Sequence, residues 1–360
     1  MKPLDVRQSI LIKAMRFPLI VLVVIAHAAG TPPESLSFPL DGVGCYSFVT
    51  EMLSRHLCPI GVCWFFVFSG YFFFINLKDG QFGYQWILGK WKSRVHSLLI
   101  PYLIWNILAI VLPLIVSVLC GAIGITQSTD AMWVVRQGPL YWFVTGPANM
   151  PLWFMRDLML LSLIVPLYYL LVKKFPWVGL AIIIVFYLSC LLPSIPQYRA
   201  ICFFGLGVWL GIGKFNILGL CRKVKIPAAI LAVVLLLVST SLIGHPGHEL
   251  VRRLFYPFGM VTFMNLCDHM MNRGRVEERL TRLSAAVFFI YAAHEILILG
   301  WTKSLLLRIF GSSLVGMWVN YLLTPVIVLT VCLGLFWLLN KIMPKTLAFA
   351  CGGRTHSSSK

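Results

Sequence analysis

The 360-residue chain is poor in acid: 12 Asp and Glu stand against 30 Lys and Arg, and charged residues of either sign make up only 12% of it. A water-soluble domain is excluded by that scarcity. Hydrophobic residues amount to 59% and the mean hydropathy is +0.87, far more apolar side chain than a soluble interior of this size can hide. Also missing are a nucleotide-binding loop, a metal-ligand spacing of cysteines, a repeat, and a polar stretch long enough for a soluble domain. The ten cysteines are scattered, mostly inside apolar runs (Cys63, Cys120, Cys190, Cys202, Cys267, Cys332), where they pack as small hydrophobes; only Cys45 and Cys58 share a loop. No metal is expected.

What the chain has in abundance is apolar runs of bilayer-spanning length. Ten occur, near 14–30, 59–77, 97–120, 152–172, 177–193, 199–214, 226–244, 254–271, 283–302 and 317–340. The sixth is short and glycine-rich. The expected fold is therefore all-α: a polytopic membrane protein of about ten transmembrane helices. With both termini in the cytoplasm, the inner segments hold 22 Lys and Arg and the outer loops 7, with Arg156 inside a span. The net charge of +18 thus follows from topology and calls for no nucleic acid. The basic leader, the run Phe17 to Ile25 and Ala26-His27-Ala28 resemble a cleavable signal, but Lys13 and Arg16 sit close to the run, and a retained first span fits the charges better. Residues 1–345 are expected to form one integral-membrane domain, and 346–360 a disordered cytoplasmic tail.

An ionisable group inside a span costs about 2.5–3.5 kcal/mol, so each one is a site candidate. The set is Arg16 and His27, Arg156 and Asp157, Asp268 and His269, and His294 and Glu295. Arg16 and His27 are eleven positions apart; on a helix they differ by about 20° beyond three full turns and by about 16 Å of rise, so they share a face. A cation at the inner mouth below an imidazole near the outer leaflet suits a long ligand with an anionic end. The bland readings are a positive-inside flank for Arg16 and a packed histidine for His27. Arg156 and Asp157 are adjacent, point about 100° apart, and each is expected to find its partner on another helix. Asp157 either orients a histidine or belongs to a structural ion pair. Glu295, beside His294, lies at a depth similar to His27. Asp268 and His269 read as interfacial. Ser69-Gly70 in an aromatic helix is either a packing notch or a place for a ligand chain.

Together these residues resemble the acyltransferase-3 family of bacterial inner-membrane acyltransferases, which modify surface polysaccharides and related glycans. The resemblance is carried by Arg16-x10-His27 within KAMRFPLIVLVVIAHA, by FFVFSGYFFF, by RVHSLLIPYLIWN (Arg94 to Asn106), by PLWFMRDLMLLSLIVPL (Pro151 to Leu167) and by FFIYAAHE (Phe288 to Glu295). It implies an acyl-CoA donor, usually acetyl-CoA, bound from the cytoplasm, and a glycan or lipid-linked glycan hydroxyl as acceptor on the outer side. It also implies His27 as the essential histidine and Arg16 as its paired basic residue. Where the family often carries a second arginine, three positions after the residue matching Arg94, this chain has Ser97. Lys90, Lys92 and Arg94 remain to hold the donor.

The chemistry requires removal of a hydroxyl proton as the oxygen attacks a thioester, a task for a histidine base. Asp157 or Glu295 would hold its tautomer. Arg156, or backbone N–H groups near Ser69-Gly70, would meet the oxyanion, and Trp153 and His294 would position substrate. Outer-loop aromatics Tyr46, Trp133, Tyr141 and Trp142 either stack on sugars or anchor at the interface. Two readings compete: a proton-coupled secondary transporter, which also buries His, Asp, Glu and Arg, and an accessory subunit without chemistry.

Overall fold

The computed structural model describes residues 6–78, 80–122, 132–189, 194–271 and 274–354. Every regular element among them is helical. Among the described residues, five helices are long and apolar enough to cross a bilayer: α1 (Val6–Ala28), α2 (Gly42–Phe74), α3 (Tyr84–Ala122) and, later in the chain, Gly274–Phe310 and Leu314–Ile342. Between α3 and these last two run α4 (Trp153–Leu163), α5 (Val165–Lys174), α6 (Pro176–Ser189), α7 (Tyr198–Ile212), α8 (Ile217–Lys223), α9 (Lys225–Ser241) and α10 (His248–Met271). The two long helices that follow are α11 (Gly274–Phe310) and α12 (Leu314–Ile342), and α13 is Pro344–Ala350.

Counting each bent pair as one span raises the number to seven, against the ten expected. The Arg136–Leu163 segment meets α5 at 59°, and α7 meets α8 at 105°. Pro166, which lacks a backbone donor, opens α5, and the Ser162 hydroxyl bonds back to Leu158 O at 2.6 Å, both causes of helix bending. Between α7 and α8, Lys214 takes a left-handed φ of 52° and Asn216 caps the new helix by accepting from Gly219 N. The remaining three segments differ in length or polarity. α6 and α9 have only 14 and 17 residues. α10 has 24, but Glu249, Arg252, Arg253 and Asp268 dilute its apolar character.

α1 runs through the middle of the bundle, packed on α2, α10, α11 and α12. α2 and α7 pair most closely of all. A methyl group at Gly70 would overlap the Phe204 carbonyl, and one at Gly207 the Val67 carbonyl, so two backbones pass here with no side chain between them. Gly70 is thus the packing notch of the two readings offered above. At the Arg7 end of α1, Arg7 and Arg222 both bind Asp268, at 3.1 and 2.6 Å, and Arg7 also pairs with Glu277. This network ties α1, α8, α10 and α11 together and accounts for Asp268. The outer faces of α3 and α12 expose Ile107, Ile115, Val118, Leu322, Val326 and Trp337, a surface suited to lipid.

Residues 346–354 are ordered where a disordered tail was expected. Cys351 is buried, Trp105 Nε1 donates to Ala350 O at 2.9 Å, and Gly352, with φ of 62°, lies against Ser97. Residues 355–360 lie outside the described residues, as do Cys190 and the Trp133 side chain.

Candidate active site

A cavity of about 710 Å³ is lined by both Arg16 and His27. The shared face follows from α1 remaining helical through Pro18, which keeps the eleven-residue register between the two side chains. Aromatic walls enclose the space: Phe65, Phe68 and Phe72 from α2, Trp153 and Phe154 from α4, and Tyr291 from α11.

At one end, His27 Nδ1 stands 2.6 Å from Glu295 Oε1. With Nδ1–H donating to the carboxylate, the imidazole keeps a lone pair on Nε2. Glu295 is delivered by an interruption in α11. The residue after next, Leu297, has φ of 67°, a conformation strained for a leucine, and the backbone breaks across Ile296 and Leu297. His294 is fully buried, its ring edge-on to that of His27 at 5.2 Å, with Nδ1 bonded to Ile290 O and Tyr291 O at 3.0 and 2.9 Å. Lys303, more than two turns further along α11, donates to His27 O at 2.7 Å and to Ala29 O at 3.0 Å. It caps the last carbonyls of α1 with a positive charge. The donor atoms of His27, His294 and Glu295 lie within 4.8 Å of one another, a span that could hold a metal ion, but the 2.6 Å contact is hydrogen-bonding distance and occupies two of the three.

At the other end, Arg16, Lys90, Arg94 and Arg354 line the cavity. Lys90 and Arg94 lie over the Phe73 ring, each 5.4 Å from its centroid. Lys92 is exposed and does not line the space. Arg354 had no sequence signal, since it follows Gly352-Gly353 in a stretch that reads as unstructured. Its Nη2 donates to Ser97 O at 2.6 Å, and its guanidinium lies 4.5 Å from the Phe288 ring centroid. Nη1 is buried without a partner among the described residues. Burial, and after it the charges of Arg94 and Arg16, lowers the Arg354 guanidinium to about 10. The position where a second arginine is absent from the sequence, Ser97, is therefore covered by an arginine from elsewhere in the chain.

Two expectations need correction. Arg156 and Asp157, expected to seek partners on other helices, bind each other: Nε and Nη2 of Arg156 donate to Asp157 Oδ1 at 3.0 and 2.9 Å. The long guanidinium stem folds back over its neighbour, which the backbone angle alone does not reveal. Arg156 Nη1 donates to Val144 O and Thr145 O, and Asp157 Oδ2 accepts from Gln197 N at 2.8 Å. Neither residue lines the cavity, and the carboxylate at His27 is that of Glu295. Of the remaining positioning candidates, Ser69 and Trp153 line the cavity, whereas Gly70 faces α7 and His294 sits behind His27. Asn149 bridges Asn106 and Ala292, and Tyr291 donates to Pro151 O at 2.7 Å, so the approach to Trp153 is fastened to the part of α11 that carries His294. Tyr46 packs edge-on against Trp318 at 5.1 Å.

A cavity with an imidazole–carboxylate pair at one end and a group of cations at the other, inside a bundle of apolar helices, suits a multi-pass membrane protein that carries out group transfer. The chain belongs to the acyltransferase-3 family: residues 10–340 match its acyltransferase domain. It is an acyltransferase of groups other than aminoacyl groups. It is 28% identical to the succinoglycan biosynthesis protein ExoH of Rhizobium meliloti (strain 1021) over 366 residues, 98% of this chain and 94% of that protein. No solved structure matches the chain.

Proposed function

We propose that this protein moves an acyl group from acyl-CoA, acetyl-CoA in the simplest case, to a hydroxyl of a surface glycan, with His27 as general base. The observation that carries the reading is the cavity shared by Arg16 and His27, with Glu295 bound to the imidazole. In this reading ten spans cross the bacterial inner membrane with both termini in the cytoplasm, and the Arg16 end opens inward. Arg16, Lys90, Arg94 and Arg354 hold the phosphates of the donor, whose thin arm reaches along the aromatic walls. Family membership and the relative's name support a glycan acceptor.

The step balances within the site. The acceptor oxygen attacks the thioester carbonyl carbon as His27 Nε2 takes the hydroxyl proton, and Glu295 holds the imidazolium that forms. The tetrahedral intermediate collapses, the C–S bond breaks, and the proton passes from His27 to the departing CoA sulfur. The ester and free CoA remain. No metal is needed for any of these transfers.

Inverted membrane vesicles containing the full chain, given acetyl-CoA labelled in the acetyl group, should incorporate label into glycan. Vesicles carrying His27→Ala should insert the protein normally and incorporate none. Full incorporation by that variant overturns the base assignment, and label that accumulates only as free solute favours a transporter.

A further inference from the structure

A second group of cations borders the same cavity and has no part in the proposed transfer. Arg199, in the first turn of α7, and Arg252, in the first turns of α10, both line it together with Arg55 and Tyr256. Hydrogen bonds locate them at the His27 end. Ser54 donates to Ile25 O at 2.8 Å, which seats the Glu51–Leu57 part of α2 beside the end of α1. His56 Nε2 meets His248 Nε2 at 2.9 Å, and Arg252 lies one turn further along α10 than His248.

Positive charge exceeds negative in this corner. Glu51 is taken by Arg55 at 2.8 Å. Glu249 is shared by Arg252 and Arg253 and also accepts from Tyr198 Oη at 3.1 Å. Arg199 has no carboxylate partner among the described residues; its one hydrogen bond is from Nη2 to Gln197 Oε1 at 3.2 Å. The Nε–H groups of both Arg199 and Arg252 are buried and make no hydrogen bond among the described residues. A guanidinium withdrawn from water with an unused donor is costly, and a bound anion removes that cost. The planar guanidinium fork matches the two oxygens of a carboxylate, which it can bind through two parallel hydrogen bonds.

We propose that Arg199 and Arg252 form a carboxylate-binding subsite that sets the reacting molecule against His27. The carboxylate comes from one of two sources: an acidic sugar of the acceptor, or the far end of a dicarboxylic acyl group on the donor. The subsite rests on the acyl-transfer reading for its purpose, but its occupancy is measured by binding, without turnover.

The test uses the full-length protein in lipid nanodiscs and equilibrium binding of two matched pairs. The first pair is succinyl-CoA and acetyl-CoA; the second is a glucuronate-containing oligosaccharide and the same oligosaccharide with its carboxyl reduced. The wild type should bind the carboxylate member of one pair at least tenfold more tightly than the neutral member. Arg199→Gln should bring the two members of that pair within about twofold, and Arg199→Lys should restore part of the difference. A difference in the first pair assigns the carboxylate to the acyl group, and one in the second assigns it to the acceptor. If Arg199→Gln does not reach the membrane, Arg252→Gln and Arg199→Lys carry the comparison. No preference in either pair, or a preference that survives Arg199→Gln, overturns the subsite. His27→Ala should keep the preference. If that variant also keeps transfer, the base assignment fails while the subsite stands.

Discussion

Glu295 Oε1 lies 2.6 Å from His27 Nδ1, and the same helix that supplies this carboxylate also reaches back, through Lys303, to hold the carbonyl oxygen of His27 itself. One element thus fixes both the ring and the backbone of the proposed base. The interruption at Ile296 and Leu297 makes the double grip feasible, because it re-aims the chain between the two contacts.

Glu295→Gln keeps the shape but removes the charge that holds the imidazolium. The kcat for transfer should fall by about 100-fold or more, with the KM for acyl-CoA nearly unchanged. Steady-state kinetics in vesicles check this, and a variant as fast as wild type would remove Glu295 from the mechanism.

Lys303 acts through His27 rather than on substrate. Lys303→Met should lower kcat by about 10- to 100-fold through misplacement of the base, and leave both KM values within about twofold. Lys303→Arg, which can still donate to two carbonyls, should recover most of the loss. A change confined to KM would contradict the positioning role.

Arg354 should be felt in donor binding. Arg354→Ala removes one charge-assisted contact, worth about 1.5–3 kcal/mol, so the KM for acyl-CoA should rise about 10- to 100-fold. The pH dependence has a definite sign. An anion binds the protonated guanidinium, and burial brings loss of that proton down to about 10 from 12.5. Donor affinity should therefore be level through neutral pH and weaken as pH rises through about 10, where the Lys90 ammonium also loses its proton, a limb that Arg354→Ala should make shallower.

Arg156 and Asp157 form a buried pair that braces α4, and breaking it from one side leaves an uncompensated charge. Asp157→Ala should cost about 3–5 kcal/mol of stability, seen as a lower Tm in detergent, and the double variant with Arg156→Ala should melt higher than the single one. Equal melting of the single variant and the wild type would deny the bracing role.

Much of this arrangement is legible in the chain. The helical class follows from apolar run length, and the common face of Arg16 and His27 follows from helical periodicity on one continuous element. Which carboxylate meets His27 is not legible. Periodicity gives depth along a residue's own helix, so Asp157 and Glu295 are equal candidates on sequence grounds, and only the packing of α11 against α1 distinguishes them. Span counting by run length also cannot see that Pro166 and the Gly213–Asn216 turn bend two segments. Arg199 and Arg252 were hidden for a different reason: a tally of charges by loop treats each as a topological mark and says nothing of what lies across from it. Arg354 was hidden by its glycine-rich surroundings, where no periodic pattern announces a docked segment.

The glycine contact between α2 and α7 leaves no layer of side chains at that seam to take up a shift of one helix on the other. On the proposed reading, the cargo then threads a standing conduit. Direction is imposed by where the bond is made, and no cycle of opening and closing is required of that wall.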